Sequence, residues 1–450
     1  MKIKLNCDFW IYGIINYLFV VFFYSIFDIN KDTFMYSIYH SIMSSILITQ
    51  LSRNIKKKEK LSLGYLLLYV IVMYFQFSTI KYSRVDTFYG FTRDNEIRIK
   101  GTWIVFLILF GINLVIALKK KTLRKNVICS NLKVPVSQLT NQIYISYIIS
   151  FGLFMYYFFV RNYSNSIYTS LSYKTENIYM TILLNIISCL GIYFATLVWN
   201  IKNLFTVMPL MIDFICFAYG SMKSGSRATF FSYSLLILFM LVEVKAIKIK
   251  YFAIAQIIAP WFMVVFTYLS FRISGRYTND MLKVVAKNLA YRFDLSDLAI
   301  NLMNNTSWLR YGFEEIIAGF QNCIPSIITT QYKGFGAYKN MLATAKLIPE
   351  VDYSDTFFSM GASVGGIIGM LLIVPVLYFI YEKIDYYLDS KGKIGIFIKM
   401  LSILCLVRIE TEWITFICAI RTLLIEIVVI LCIYNFFILC KKSIIRKDYL

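Results

Sequence analysis

The sequence predicts an all-α, polytopic integral membrane protein of about twelve transmembrane helices with one large helical loop. Three observations predict it. The chain is 59% hydrophobic and 18% aromatic with a mean hydropathy of +0.65, too apolar for a soluble domain that must coat its surface with polar groups. Its apolar runs recur at the length a helix needs to cross roughly 30 Å of hydrocarbon. Its lysines and arginines crowd into alternate short connections, as the positive-inside rule requires.

Twelve apolar stretches carry the first observation, at 9–27, 33–52, 61–80, 101–118, 143–160, 178–199, 204–221, 228–243, 251–271, 357–381, 394–407 and 414–439. The first lacks a small-residue cleavage site after it and is expected to stay as an anchor. The eleventh is the weakest, because its uncharged core is short unless Lys399 faces protein or the helix runs past Arg408. The basic connections RNIKKKEK (53–60), KKKTLRKN (119–126), VKAIKIK (244–250) and KKSIIRK (441–447) fall on one side if the segments alternate. That side is read as the cytoplasm, with both ends of the chain on it. The turn at SGSRATFF (224–231) then faces outward.

Two function classes fall away at this level. The net charge of +21 invites a nucleic-acid reading, but about half of the cations lie in the cytoplasmic connections, where topology and anionic lipid account for them. Metal chemistry has little to build on: there is one histidine, His40, inside the second apolar stretch, and no CxxC or HxxxH spacing. Of nine cysteines, only Cys323 falls well outside the membrane on the outer side, so no disulfide framework is expected.

The chain divides into 1–271 (spans one to nine), 272–356 (a large external loop) and 357–450 (spans ten to twelve). An 85-residue loop of this kind is expected to carry structure and function. MLKVVAKNLAYRF (281–293) reads as an amphipathic helix with Met281, Val284, Val285, Leu289 and Arg292 near one face. Ser296-Asp297 is a plausible cap for a second helix, and 308–320 reads as a third. Charge in the loop is polarised. Arg272, Arg276, Lys283, Lys287 and Arg292 outweigh Asp280 in its first part, and acids including Asp294, Asp297, Glu314, Glu315, Asp352 and Asp355 dominate the rest. A basic half suits a lipid-linked diphosphate, since guanidinium presents a planar fork of donors; an acidic half offers a general base for a sugar hydroxyl.

SGSRATFF opening a transmembrane helix, one span before a large external loop, resembles the GSR-type signature of the bacterial oligosaccharide repeat-unit polymerases, the Wzy-type O-antigen polymerases. YGFEEIIAGFQNCIPS (311–326) and DYSDTFFSMGASVGGIIGML (352–371) are similar to that family's later motifs. The resemblance implies a GT-C-like, metal-independent glycosyltransferase of the inner membrane that uses no cofactor. A glycan on undecaprenyl diphosphate is moved, at the periplasmic face, onto the terminal sugar hydroxyl of an incoming lipid-linked unit. Both lipid-linked glycans, membrane lipid and a chain-length regulator protein are the implied partners. Arg227 carries over from the signature as a diphosphate ligand; Arg276 and Arg292 join it from the loop, and Arg408 and Glu410 from the outer turn at 408–411. Asp294, then Glu314, are the candidate bases.

Each candidate has a plainer role. Arg227 at a helix mouth can snorkel to headgroups, Asp294 can cap a helix or pair with Arg292, and GASVGGIIG (361–369) reads first as close helix packing. Arg421 and Glu426, in the last stretch, read as an interhelical contact or as cavity lining. Two rival functions share the topology. A lipid-linked oligosaccharide flippase should show two similar halves and interrupted helices near the midplane; neither is legible here, and an 85-residue external loop is unusual for such a carrier. An O-antigen ligase resembles a pattern with a histidine in the external loop, where this chain has none.

Overall fold

The computed structural model describes residues 7–26, 31–58, 61–78, 95–118, 136–161, 178–224, 226–273, 279–292, 317, 357–406 and 413–447. Among the described residues there is no strand, and thirteen helices follow one another: α1 (Cys7–Ile26), α2 (Lys31–Lys58), α3 (Leu63–Phe77), α4 (Asn95–Leu118), α5 (Val136–Met155), α6 (Ile178–Leu197), α7 (Leu204–Ser224), α8 (Arg227–Glu243), α9 (Lys250–Ile273), α10 (Met281–Arg292), α11 (Phe357–Asp389), α12 (Gly392–Leu406) and α13 (Trp413–Lys447). A π-helical turn, Tyr156–Val160, continues α5.

All twelve apolar stretches become helices, but eight of those helices, α1, α4, α5, α6, α7, α9, α11 and α13, are long and apolar enough to cross a membrane. The other four differ for a physical reason. α2 is interrupted by polar side chains that face protein, among them His40, Ser41, Ser44, Ser45 and Thr49. α3, α8 and α12 have 15, 17 and 15 residues, about 22–26 Å at 1.5 Å per residue. Protein surrounds these short helices. Every residue of α3 from Leu63 to Phe77 is buried, and α12 buries even Lys399. A helix enclosed by other helices presents little surface to lipid, and α8 still runs from the α7–α8 turn at one end of the bundle to the start of α9 at the other.

The packing partners follow from this. α3 lies against α2, α9, α11 and α12, while α8 lies against α6, α7, α9 and α12. The long helices turn their other faces outward, as Leu107, Ile148, Phe151, Leu372 and Val428 show, each more than half exposed. Helix directions are set by a few contacts. Phe158 stacks on Tyr219 at 4.1 Å and the Ser270 hydroxyl donates to Met222 O at 2.9 Å, so α5, α7 and α9 finish at one end of the bundle, where the α7–α8 turn lies. Tyr69 meets Phe252 at 4.3 Å, which places the start of α3 at the opposite end with the start of α9.

That opposite end is clamped by charge. Lys399 Nζ of α12 lies 2.7 Å from Asp385 Oδ1 of α11 and also pairs with Asp389. Asp385 Oδ1 accepts from Leu63 N at 3.3 Å, and the Ser62 hydroxyl, which caps α3, bonds to Glu382. Carboxylates at a helix start complement its dipole. Lys399 therefore faces protein, which is the condition that the eleventh stretch required.

Three expectations are corrected here. α10 spans the expected amphipathic segment and packs on α9 and α1, burying Met281, Val285, Ala286 and Leu289, but Val284 is 41% exposed and points away. GASVGGIIG is a helix break rather than an uninterrupted packing face: Gly366 has φ +58 and ψ −141, a region open essentially to glycine alone. The break folds the chain so that Gly361 and Gly369 touch backbone to backbone, where a Cβ on Gly361 would lie 2.7 Å from Gly369 O. An interrupted helix is thus present, although none was legible in the pattern. Of the expected helix 308–320, only Ile317 is among the described residues.

Candidate functional site

The α7–α8 turn is built by its serines. Ser226 N donates to Ser221 O at 3.0 Å, covering a carbonyl at the end of α7. Its side chain caps α8 by accepting from Thr229 N at 3.4 Å and bonds to the Thr229 hydroxyl at 2.7 Å. Ser-to-Thr spacing of three residues is the ordinary geometry of an N-cap. Arg227 is thereby the first residue of α8. It is half-buried, and its Nη1 atom is buried, so the guanidinium is held by protein rather than laid out in lipid. Backbone N–H groups of a first helical turn point the same way and favour anions.

Below this turn lies a polar thread through five elements. The π-turn after α5 is closed by Arg161 N donating to Tyr156 O at 2.9 Å, and the Arg161 guanidinium sits 5.7 Å from the centre of the Tyr157 ring. Tyr157 meets Phe217 of α7 edge-on at 6.0 Å, and Phe217 stacks on Tyr233 of α8 at 4.0 Å. The Tyr233 hydroxyl donates to Asn185 Oδ1 of α6 at 3.2 Å. Asn185 Nδ2 in turn donates to Glu426 Oε1 of α13 at 2.7 Å. Turns of π-helix concentrate at functional positions because they re-aim side chains.

Glu426 is the unexpected member. The surrounding stretch of α13 faces outward, with Leu424 58% and Val428 59% exposed, yet Glu426 is 2% exposed. A carboxyl turned inward from a lipid-facing helix costs several kcal/mol unless its oxygens are bonded. Asn185 supplies such a bond and Tyr233 fixes the amide's orientation. The site thus offers guanidinium donors near one end of the bundle and a buried carboxyl farther in, a set able to hold an anion and to accept a proton. Among the described residues, no group of three or more His, Cys, Asp or Glu is placed to hold a metal ion.

The other polar networks are structural by their contacts. His40 is 1% exposed; its Nε2 lies 2.6 Å from Phe75 O and 3.2 Å from the Ser78 hydroxyl, tying α2 to the end of α3. Gln76 Nε2 donates to Asn16 Oδ1 at 2.6 Å and Asn16 Nδ2 to the Ser45 hydroxyl at 3.0 Å, joining α1, α2 and α3.

Of the residues expected from the sequence, Arg227 is in place at the turn. Arg292 ends α10, and its side chain is outside the description, as are Arg276, Asp294, Glu314, Arg408 and Glu410. The pair Arg421 and Glu426 was legible as charge inside an apolar run, and Glu426 does make an interhelical contact, with Asn185. Arg161, Asn185 and Tyr233 were missed. Arg161 alone carried a signal, as a cation at the mouth of a span. A lone Asn or Tyr in an apolar run says nothing about its partner. No protein-family model, curated protein or solved structure matches this chain.

Proposed function

We propose that the chain is a membrane glycosyltransferase that polymerises undecaprenyl-diphosphate-linked repeat units at the outer face of a bacterial inner membrane. The observation that carries the reading is Arg227: it opens α8 behind a serine cap, and its Nη1 atom is buried against protein. In this reading Arg227 and the first N–H groups of α8 bind the donor diphosphate. Donors fixed where leaving-group charge develops stabilise a transition state without a metal. Arg276, Arg292, Arg408 and Glu410 complete the substrate site, and Asp294 and Glu314 are the proposed bases from the loop. Both ends of the chain lie in the cytoplasm, and a chain-length regulator acts with it.

A second reading, a carrier of lipid-linked oligosaccharides, is favoured by one observation, the interruption of α11 at Gly365–Gly366. One experiment separates them. The gene is deleted and the surface polysaccharide is run on a gel. A lost polymerase leaves one repeat unit on the anchor, a lost ligase leaves none, and a lost carrier keeps units from reaching the outside. Complementation with Arg227→Lys tests the site, because lysine keeps the charge and loses the fork. Normal ladders from that variant, at equal protein level, would remove the phosphate role.

A further inference from the structure

Asp213 stands near the middle of α7 (Leu204–Ser224), about 14–17 Å from either end at 1.5 Å per residue. Its side chain is 0% exposed, and neither carboxyl oxygen receives a hydrogen bond of ordinary geometry, the Ser150 hydroxyl of α5 being within interaction reach. The space it fills is prepared by three helices. A Cβ on Gly191 of α6 would lie 3.1 Å from Asp213 Oδ2 and 3.1 Å from Ile149 of α5, so any larger residue there would press on the carboxyl. Ser150 of α5 lies beside it, and its hydroxyl donates to Pro209 O at 3.2 Å.

α7 packs against α5 with its π-turn, α6, α8 and α9. The cations on these elements among the described residues all lie at helix ends: Lys202 and Lys223 beside α7, Arg161 after α5, Arg227 opening α8, and Lys250 and Arg272 on α9. The other titratable groups on these elements are thiols and phenols, Cys216 and Tyr219 on α7, Tyr144, Tyr147, Tyr156 and Tyr157 on α5 and its turn, Tyr179, Cys189 and Tyr193 on α6, Tyr233 on α8 and Tyr251 and Tyr268 on α9, with Glu243 at the far end of α8. Among the described residues, no cation at mid-helix compensates a charge on Asp213, and an uncompensated carboxylate in an apolar interior costs several kcal/mol.

We propose that Asp213 is a reversible proton-binding site, neutral in the packed α5–α6–α7 unit, with its O–H donated to Ser150 Oγ and from there to Pro209 O. A neutral carboxyl gains the one donor that the site is missing. Solvent supplies the proton and takes it back, and only the O–H bond forms or breaks. Ionisation strands a charge between Gly191 and Ser150, so α7 must repack or admit water. The site makes the packing of α7 sensitive to pH, and it stands whether or not the chain transfers glycans.

The test is dicyclohexylcarbodiimide, which attacks protonated carboxyls in apolar surroundings. Full-length protein in detergent is treated across a pH series with and without sodium, and adducts are mapped by mass spectrometry. The expected result is an adduct at Asp213, absent in Asp213→Asn, indifferent to sodium, and falling about tenfold per pH unit above its midpoint. Ser150→Ala, which keeps the acid but removes its hydroxyl neighbour, should move the midpoint of that profile. Thermal unfolding gives a reading free of reagent access. A charge stranded at Asp213 would penalise only the wild type, so its stability should fall relative to Asp213→Asn as pH rises. Parallel pH–stability curves for the two proteins would overturn the proposal. So would labelling that is indifferent to pH, or an adduct abolished by sodium at constant pH, which would make this a sodium site instead.

Discussion

Lys399→Met isolates the charge clamp at the start of α3. Lys399 and Asp385 are 2% and 0% exposed and lie 2.7 Å apart, so removal of the cation takes the Lys399 partner from a buried carboxylate. Breaking a buried pair from one side costs about 3–5 kcal/mol, or roughly two to four orders of magnitude in the folded-to-unfolded ratio. Asp389, 20% exposed, adds less, because its charge is partly screened by solvent. The loss should therefore belong to Asp385. Removing that acid as well, in Lys399→Met/Asp385→Asn, should restore most of the stability. The assay is unfolding of the detergent-solubilised protein by SDS titration, followed by tryptophan fluorescence. A single variant within about 1 kcal/mol of wild type, or a double variant no better than the single, would refute the reasoning.

Gly366→Ala places a side chain on a backbone at φ +58 and ψ −141 and should cost about 1–3 kcal/mol in the same titration. Tyr147→Phe tests the proline turn of α7: Pro209 has no N–H to give Phe205 O, and the Tyr147 hydroxyl donates to that carbonyl at 2.8 Å. Such bonds in membrane proteins average about 0.6 kcal/mol, so this variant should lose far less than Lys399→Met. Glu426→Gln keeps an oxygen for Asn185 Nδ2 and should hold stability within about 1 kcal/mol. Glu426→Leu, which strands Asn185, should destabilise by more, and equal stabilities for the two would contradict the Asn185 contact.

The hydropathy of the chain determined its class and most of its helices, because the drive to bury an apolar run in hydrocarbon is a local property that adds residue by residue. The same pattern placed α10 and the start of α8, where Arg227 stands at the mouth of an apolar run. Tertiary structure decided which helices are long enough to span and which are enclosed. α3 and α8 read like any other apolar stretch, yet they are sheathed by protein rather than lipid, and hydropathy cannot tell these surroundings apart. It also decided the pairing of buried polar groups. Glu426 finds Asn185 across 241 positions and Ser62 finds Glu382 across 320. Such partners depend on how helices are arranged around one another, which no local window of sequence encodes.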